Sequence, residues 1–206
     1  MDHKDMWEIE NSYYDSGIVT ICGVDEAGRG PLAGPVCAAA VILPAGLVID
    51  GLDDSKKLSD KRRRELMPII QENAIAYGIA FASHEEIDQI NILQATFLAM
   101  ERALEKLNIR PDLALIDGNR QKDFGINAVT VVKGDSRSAN IAAASVLAKV
   151  TRDDYMEEMA KQYPGYGFEI HKGYGTKAHY AALTELGPSP IHRMTFLKKF
   201  YGQNKA

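Results

Sequence analysis

The sequence predicts a mixed α/β fold, a sheet with helices packed against it, and three observations lead there. Apolar, strand-like runs at 18–22, 36–43, 75–82, 113–117 and 128–133 are separated by longer stretches whose apolar residues recur at helical spacing. Three of those runs lead into an Asp within a few residues of Gly, at Asp25, Asp117 and Asp135. The chain of 206 residues is 46% hydrophobic, enough to bury one core. It divides into an N-terminal arm (1–17), a domain over 18–187 and a basic, helical C-terminal extension (188–206).

The arm carries Trp7, Tyr13 and Tyr14 among many charges, and is either a short helix packing its aromatics on the domain or a partly mobile segment. The first strand stops at the adjacent carboxylates Asp25 and Glu26, then breaks into glycines and prolines. Strand alternation sends neighbouring side chains to opposite sides, so both carboxylates face one site only if the chain is already turning there. Run 36–43 pairs antiparallel with the first strand through the Gly-Pro turn. Ser59 is an N-cap for a helix from Asp60, with Lys61 to Arg64 read as a solvated face ahead of a phosphate contact, and Pro68 as a break or kink. After strand 75–82, Ser83 and Glu86 form a capping box for a helix through Leu107, with Ile92, Ala95, Ala99, Ala103 and Leu107 as its buried stripe. A long helix over 138–162 follows Asp135, its first half rich in small residues that allow close packing, and Thr176 caps another helix to Leu186. The segment His192 to Lys199 is a last short helix. In mixed sheets, ligand sites gather beyond the carboxyl ends of parallel strands, where the three Asp-bearing ends would converge.

The string Asp25-Glu26-Ala27-Gly28-Arg29-Gly30-Pro31-Leu32-Ala33-Gly34-Pro35-Val36 resembles the opening motif of the type 2 ribonucleases H, bacterial ribonuclease HII in particular. Asp54-Ser55-Lys56-Lys57-Leu58, Asp117-Gly118-Asn119, Lys133-Gly134-Asp135-Ser136 and the stretch from Ser145 to Asp153 agree with it. The resemblance covers roughly residues 18–180 and implies a ribonuclease H-like fold, a mixed sheet of five strands flanked by helices. It implies Asp25, Glu26, Asp117 and Asp135 as the metal-binding catalytic set. It implies as substrates RNA in RNA/DNA hybrids and single ribonucleotides embedded in duplex DNA, cut on the 5′ side to leave a 3′-hydroxyl and a 5′-phosphate. Ribonuclease HIII carries a sizeable N-terminal substrate-binding domain; too few residues precede the motif here to build one, which favours ribonuclease HII.

The residues support the same chemistry by themselves. Oxygen-only ligands without a His or Cys cluster suit magnesium or manganese over zinc. Two such ions about 4 Å apart activate water and stabilise the leaving oxygen in an in-line attack on a phosphodiester. Choosing RNA over DNA requires reading the 2′-hydroxyl, and the backbone of Gly28-Arg29-Gly30 can approach it closely. Tyr174, between two glycines, is either a core residue or one that stacks on a sugar or base; the resemblance to ribonuclease HII implies that the Gly-Arg-Gly segment and a tyrosine in this region recognise the junction between a ribonucleotide and the following deoxyribonucleotide. Lys56, Lys133, Arg137 and Lys172 are candidates to hold phosphates, whereas Asp153, inside the long helix, reads as an ion-pair residue.

A formal charge of −4 does not by itself single out a nucleic-acid partner, but a carboxylate-centred nuclease needs only a local basic rim. Cys22 and Cys37 lie in apolar runs and fit buried thiols in a reducing compartment. With no signal core or run of transmembrane length, the expectation is a cytoplasmic monomer that meets no membrane. Two rivals remain: a nucleotide-binding protein using Gly28, Gly30 and Gly34, whose spacing departs from Gly-x-Gly-x-x-Gly, and a non-catalytic module that binds RNA/DNA hybrids.

Overall fold

The structure, a computed structural model, describes residues 6–53, 55 and 57–203. Among these, five strands form one sheet: β1 (Ile21–Ala27), β2 (Val36–Ile42), β3 (Ala76–Ala82), β4 (Leu113–Asp117) and β5 (Ala128–Val131). They lie in the order β3-β2-β1-β4-β5. The first three are antiparallel neighbours, while β4 runs parallel to β1 and β5 parallel to β4, so the sheet is mixed. The helices are α1 (Glu8–Tyr14), α2 (Asp60–Asn73), α3 (His84–Glu105), α4 (Ala139–Gln162), α5 (Phe168–His171), α6 (Lys177–Leu186) and α7 (Met194–Gln203).

Two apolar layers sandwich the sheet. On one face Val24, Ala38, Ala40 and Ile116 pack against Ala95, Ala99, Met100 and Ala103 of α3, the alanine stripe that the helical spacing predicts. On the other face Ala39 and Val41 pack against Ala143, Val146 and Leu147 of α4, with Leu66 and Ile70 of α2 closing the layer. Each fully buried Val, Leu or Ile side chain among them stabilises the fold by about 1.5–3 kcal/mol, and each alanine methyl by less than about 1 kcal/mol. Gly23 lets α4 come unusually close, since a Cβ there would stand 2.2 Å from the backbone of Asn140 and Ile141. The described part of the arm holds the helix α1: Trp7 is buried with its Nε1–H donated to Leu47, and Glu10 accepts from the Ser138 hydroxyl and the Asn140 amide. Burial pushes the Glu10 carboxyl above its ordinary pKa.

Several elements depart from the sequence reading. The first strand does not end at the carboxylates; it begins at Ile21 and continues through Asp25 and Glu26, because backbone pairing with β2, opposite Ala39 and Ala38, carries on to Ala27. Residues 19 and 20 instead donate their N–H groups to the Asp112 carboxylate. Pro68 does not end α2, since Leu66 and Ile70 on either side anchor the helix in the core. The charges of α2 are not simply solvated: Arg63 donates to the carbonyls of Ser55 and Leu58, and Arg64 pairs with Asp60, Asp154 and Glu157. Helix α3 is interrupted at Asn91 (φ 67°), whose side chain accepts from the N–H groups of Leu93 and Gln94 and so caps its second half. Strand β5 stops at Val131, before the left-handed Lys133 (φ 54°).

Candidate active site

The parallel pairing of β1 with β4 sets Val24 beside Ile116, so Asp25 and Asp117 follow as neighbours at the carboxyl ends of two adjacent strands. Strand alternation points both toward the α4 face. Left-handed Lys133 then turns the chain into a 3₁₀ turn, Gly134–Ser136, that brings Asp135 to the same place. One carboxylate oxygen from each of Asp25, Asp117 and Asp135 lies within 4.8 Å of the others. Asp25 and Asp135 are buried and Asp117 half-buried. Backbone donors orient two of them: Gly134 N–H to Asp117 Oδ1 at 2.7 Å, and Glu26 N–H to Asp25 Oδ1 at 2.7 Å. Gly134 is required for this approach, because a Cβ would meet Ile141 at 2.5 Å and Asp117 at 3.3 Å. Helix α4 begins just beyond, and its N-terminal dipole favours the carboxylate that precedes it.

Glu26 is not part of that three-carboxylate group. The chain is still a regular strand at 25–26, so alternation carries Glu26 to the face opposite Asp25, and the turn starts only at Gly28 (φ +99°). Its carboxylate accepts from Arg29 Nη1 at 3.3 Å. Asp153 is buried and pairs with Lys149 at 2.6 Å; burial lowers the Lys149 pKa below its ordinary value.

Beside the carboxylates, Gly28-Arg29-Gly30 leaves β1 and meets Tyr174. A Cβ on Gly30 would stand 3.5 Å from the Tyr174 ring, which is 44% exposed. Lys133, Arg29 and Arg137 are exposed around this edge. Lys172 is not directed outward, since its ammonium donates to Glu157 at 2.7 Å and to the Glu169 carbonyl. Lys56 lies outside the described residues.

Sequence reasoning missed what holds the loop. Two fully buried guanidiniums grip it from behind. Arg152 donates to the carbonyls of Ala33, Pro35 and Lys172, and Arg193 to those of Gly28, Arg29, Gly34 and Pro35. Gly28 allows this, because a Cβ there would lie 1.9 Å from Arg152 Nε. Burial pushes the Arg193 pKa down to about 9, with the Arg152 charge adding to the effect. The available signal was Arg152 itself, spaced with Ser145, Ala148 and Met156 on the buried face of a helix where a solvated Arg has no place.

A mixed sheet in this strand order, with acidic side chains at the ends of its two parallel central strands, has the ribonuclease H-like fold. The family model for ribonuclease HII matches residues 22–199. The ribonuclease HII of Endomicrobium trichonymphae is 56% identical over 194 residues, covering 94% of this chain and 92% of that protein. Among solved structures, the ribonuclease H2 of Pyrococcus horikoshii OT3 superposes with a TM-score of 0.71 at 26% identity, over 86% of this chain and 93% of that one. Bst-RNase HIII, solved in complex with Mn2+, shares the fold at a TM-score of 0.71 and 21% identity, over 86% of this chain and 67% of that one. The chain belongs to the ribonuclease HII family. It is a ribonuclease H, an endonuclease of RNA/DNA hybrids. Among the described residues, no helix is long and apolar enough to cross a membrane.

Proposed function

We propose that this enzyme cuts the RNA strand of hybrids and also cuts 5′ to single ribonucleotides embedded in duplex DNA, leaving a 3′-hydroxyl and a 5′-phosphate. The convergence of Asp25, Asp117 and Asp135 within 4.8 Å, next to the Gly28-Arg29-Gly30 loop, carries this reading. An all-carboxylate donor set at that spacing fits hard divalent cations, magnesium or manganese, as does the manganese in the Bst-RNase HIII structure. Asp25, Asp117 and Asp135 are assigned to hold them, with Glu26 reached from the other face of the strand. When bound, two such ions supply activation of the attacking water and neutralise charge on the leaving oxygen.

The chain's own residues position the substrate. Arg193 takes up the carbonyls of Gly28 and Arg29, so we assign the N–H groups of this loop to the 2′-hydroxyl and the neighbouring phosphate. Tyr174 stacks on the sugar or base beside the junction, and Arg29, Lys133 and Arg137 hold phosphates of the rim. We further propose that the enzyme works as a cytoplasmic monomer.

The test is cleavage of a DNA duplex carrying one internal ribonucleotide, by wild type and Asp25→Asn, with magnesium, manganese or chelator. Metal-dependent cutting 5′ to the ribonucleotide, lost in the variant, is the expected result. Retained duplex binding without cutting under any metal would make the chain a hybrid-binding module.

A further inference from the structure

Behind the loop that presents Tyr174, three histidines form one buried group: His171 at the end of α5, His179 in α6 and His192 just before α7. The rings of His171 and His179 stack at 4.4 Å, and Phe168 meets both edge-on. Their protons can be placed, because a backbone N–H only donates and a carbonyl only accepts. Ser189 N–H donates to His192 Nδ1 at 2.8 Å, so a neutral His192 carries its proton on Nε2. That nitrogen faces His179 Nε2 at 2.9 Å, which must then accept. His179 is left with its proton on Nδ1, 2.9 Å from the Tyr174 carbonyl oxygen. In the same way Gly173 N–H donates to His171 Nδ1 at 3.2 Å, and His171 Nε2–H donates to the Tyr166 carbonyl at 2.8 Å. One arrangement with all three rings neutral satisfies every contact. An added proton would set N–H against N–H.

The electrostatics agree. Desolvation, reinforced by His179, His171 and His84, pushes the His192 pKa down to about 4, and burial lowers that of His179. The end of this relay is a lone pair on the Tyr174 carbonyl, whose other partner is the Thr176 N–H at 2.8 Å. The next peptide on the same loop is fastened to the Gly-Arg-Gly side by Leu32 N–H to the Gly173 carbonyl at 2.8 Å.

We propose that His179, held in one tautomer by His192, is a positioning residue for Tyr174: the relay Ser189–His192–His179 fixes the Tyr174 backbone and thereby the ring beside Gly30. The proposal rests on the reading of Tyr174 as a substrate contact. It predicts an effect on substrate binding and not on the chemical step, since no member of the relay is among the carboxylates.

The experiment compares KM and kcat on the single-ribonucleotide duplex for wild type, His179→Leu and His179→Asn. An asparagine amide nitrogen stands where Nδ1 stands and restores the donor to Tyr174. His179→Leu should raise KM about tenfold, the size of one lost hydrogen bond, with kcat within about twofold. His179→Asn should recover most of that KM. A folded His179→Leu with wild-type KM, a loss confined to kcat, or an Asn variant no better than Leu would overturn the proposal. Nitrogen-15 spectra of the wild-type histidines provide the second measurement, independent of whether either variant folds. Protons on His171 Nε2, His179 Nδ1 and His192 Nε2 are expected, and any other tautomer set sinks the relay. Because the spectra need no substrate, a wild type that cuts nothing would defeat the functional reading while the tautomers still decide the relay.

Discussion

The carboxylate group and the Gly-Arg-Gly loop lie at the same end of the sheet, yet they are built from opposite charges by opposite means. At the first, backbone geometry gathers negative side chains: parallel β1 and β4 deliver Asp25 and Asp117 side by side, and a 3₁₀ turn adds Asp135. At the second, buried positive side chains gather backbone: Arg152 and Arg193 hold the carbonyls of the loop. Concentrating like charge at the first edge costs free energy in the protein alone, and that edge is suited to a cationic ligand. The second is satisfied internally. One edge therefore trades stability for chemistry, and the other holds a shape.

Three measurements break or sharpen that contrast. The largest effect belongs to Asp25→Asn or Asp135→Asn: kcat should fall at least about 10²-fold, beyond the usual loss for a residue one shell further from a metal. Chemical denaturation without divalent ions should show no loss of stability, because neutralising one of three clustered carboxylates relieves repulsion. A destabilised Asn variant would mean that the carboxylates act as structural acceptors, erasing the contrast.

Arg193→Met should do the reverse. It strips the Arg193 donors from the carbonyls of Gly28, Arg29 and Gly34, while Pro35 keeps Arg152, and should cost about 3 kcal/mol in urea unfolding, as buried acceptors lose their partners. A loss under about 1 kcal/mol would show that the guanidinium does not hold the loop.

The most gradual effect is the pH dependence of stability, spread over more than two pH units. The His192 pKa falls from an ordinary 6.5 to about 4 on folding, so the unfolded chain takes up the proton first. The contribution is fully present above pH 6.5 and is lost as pH falls toward about 4, at about 1.4 kcal/mol per pH unit and roughly 3 kcal/mol in all. His179, also lowered, adds in the same direction. A stability curve flat across that window, or one unchanged in His192→Gln, would remove the histidines from the support of this edge.

How much of this was legible in the sequence differs between the two edges for the same physical reason. The carboxylates announce themselves locally: an apolar strand followed by Asp and Gly is an odd pattern, and it recurs three times in the chain. The strands, the Ser59 and Ser83 caps and the long helix from Ser138 are equally local, being set by a few neighbouring residues. The guanidinium grip is not local, since Arg193 reaches carbonyls more than 150 residues earlier, and nothing near it marks the partner. The end of the first strand was misjudged because the ladder with β2 overrides the usual meaning of charged residues after an apolar run. Of the break or kink expected at Pro68, the break is absent, because buried Leu66 and Ile70 outweigh the lost hydrogen bond. The break at Asn91 left no pattern that helical spacing detects.

Gly23 gives the carboxylate edge its dimensions. Asn140 and Ile141 of α4 rest where its side chain would be, and α4 follows closely on the turn that carries Asp135. A methyl group at Gly23 would act as a shim, wedging the helix off the strand and with it Asp135 away from Asp25. On the reading that these carboxylates seat divalent ions, the gap between them is gauged by a single hydrogen atom two residues upstream. The choice between a smaller and a larger cation can then drift through a residue that never touches one.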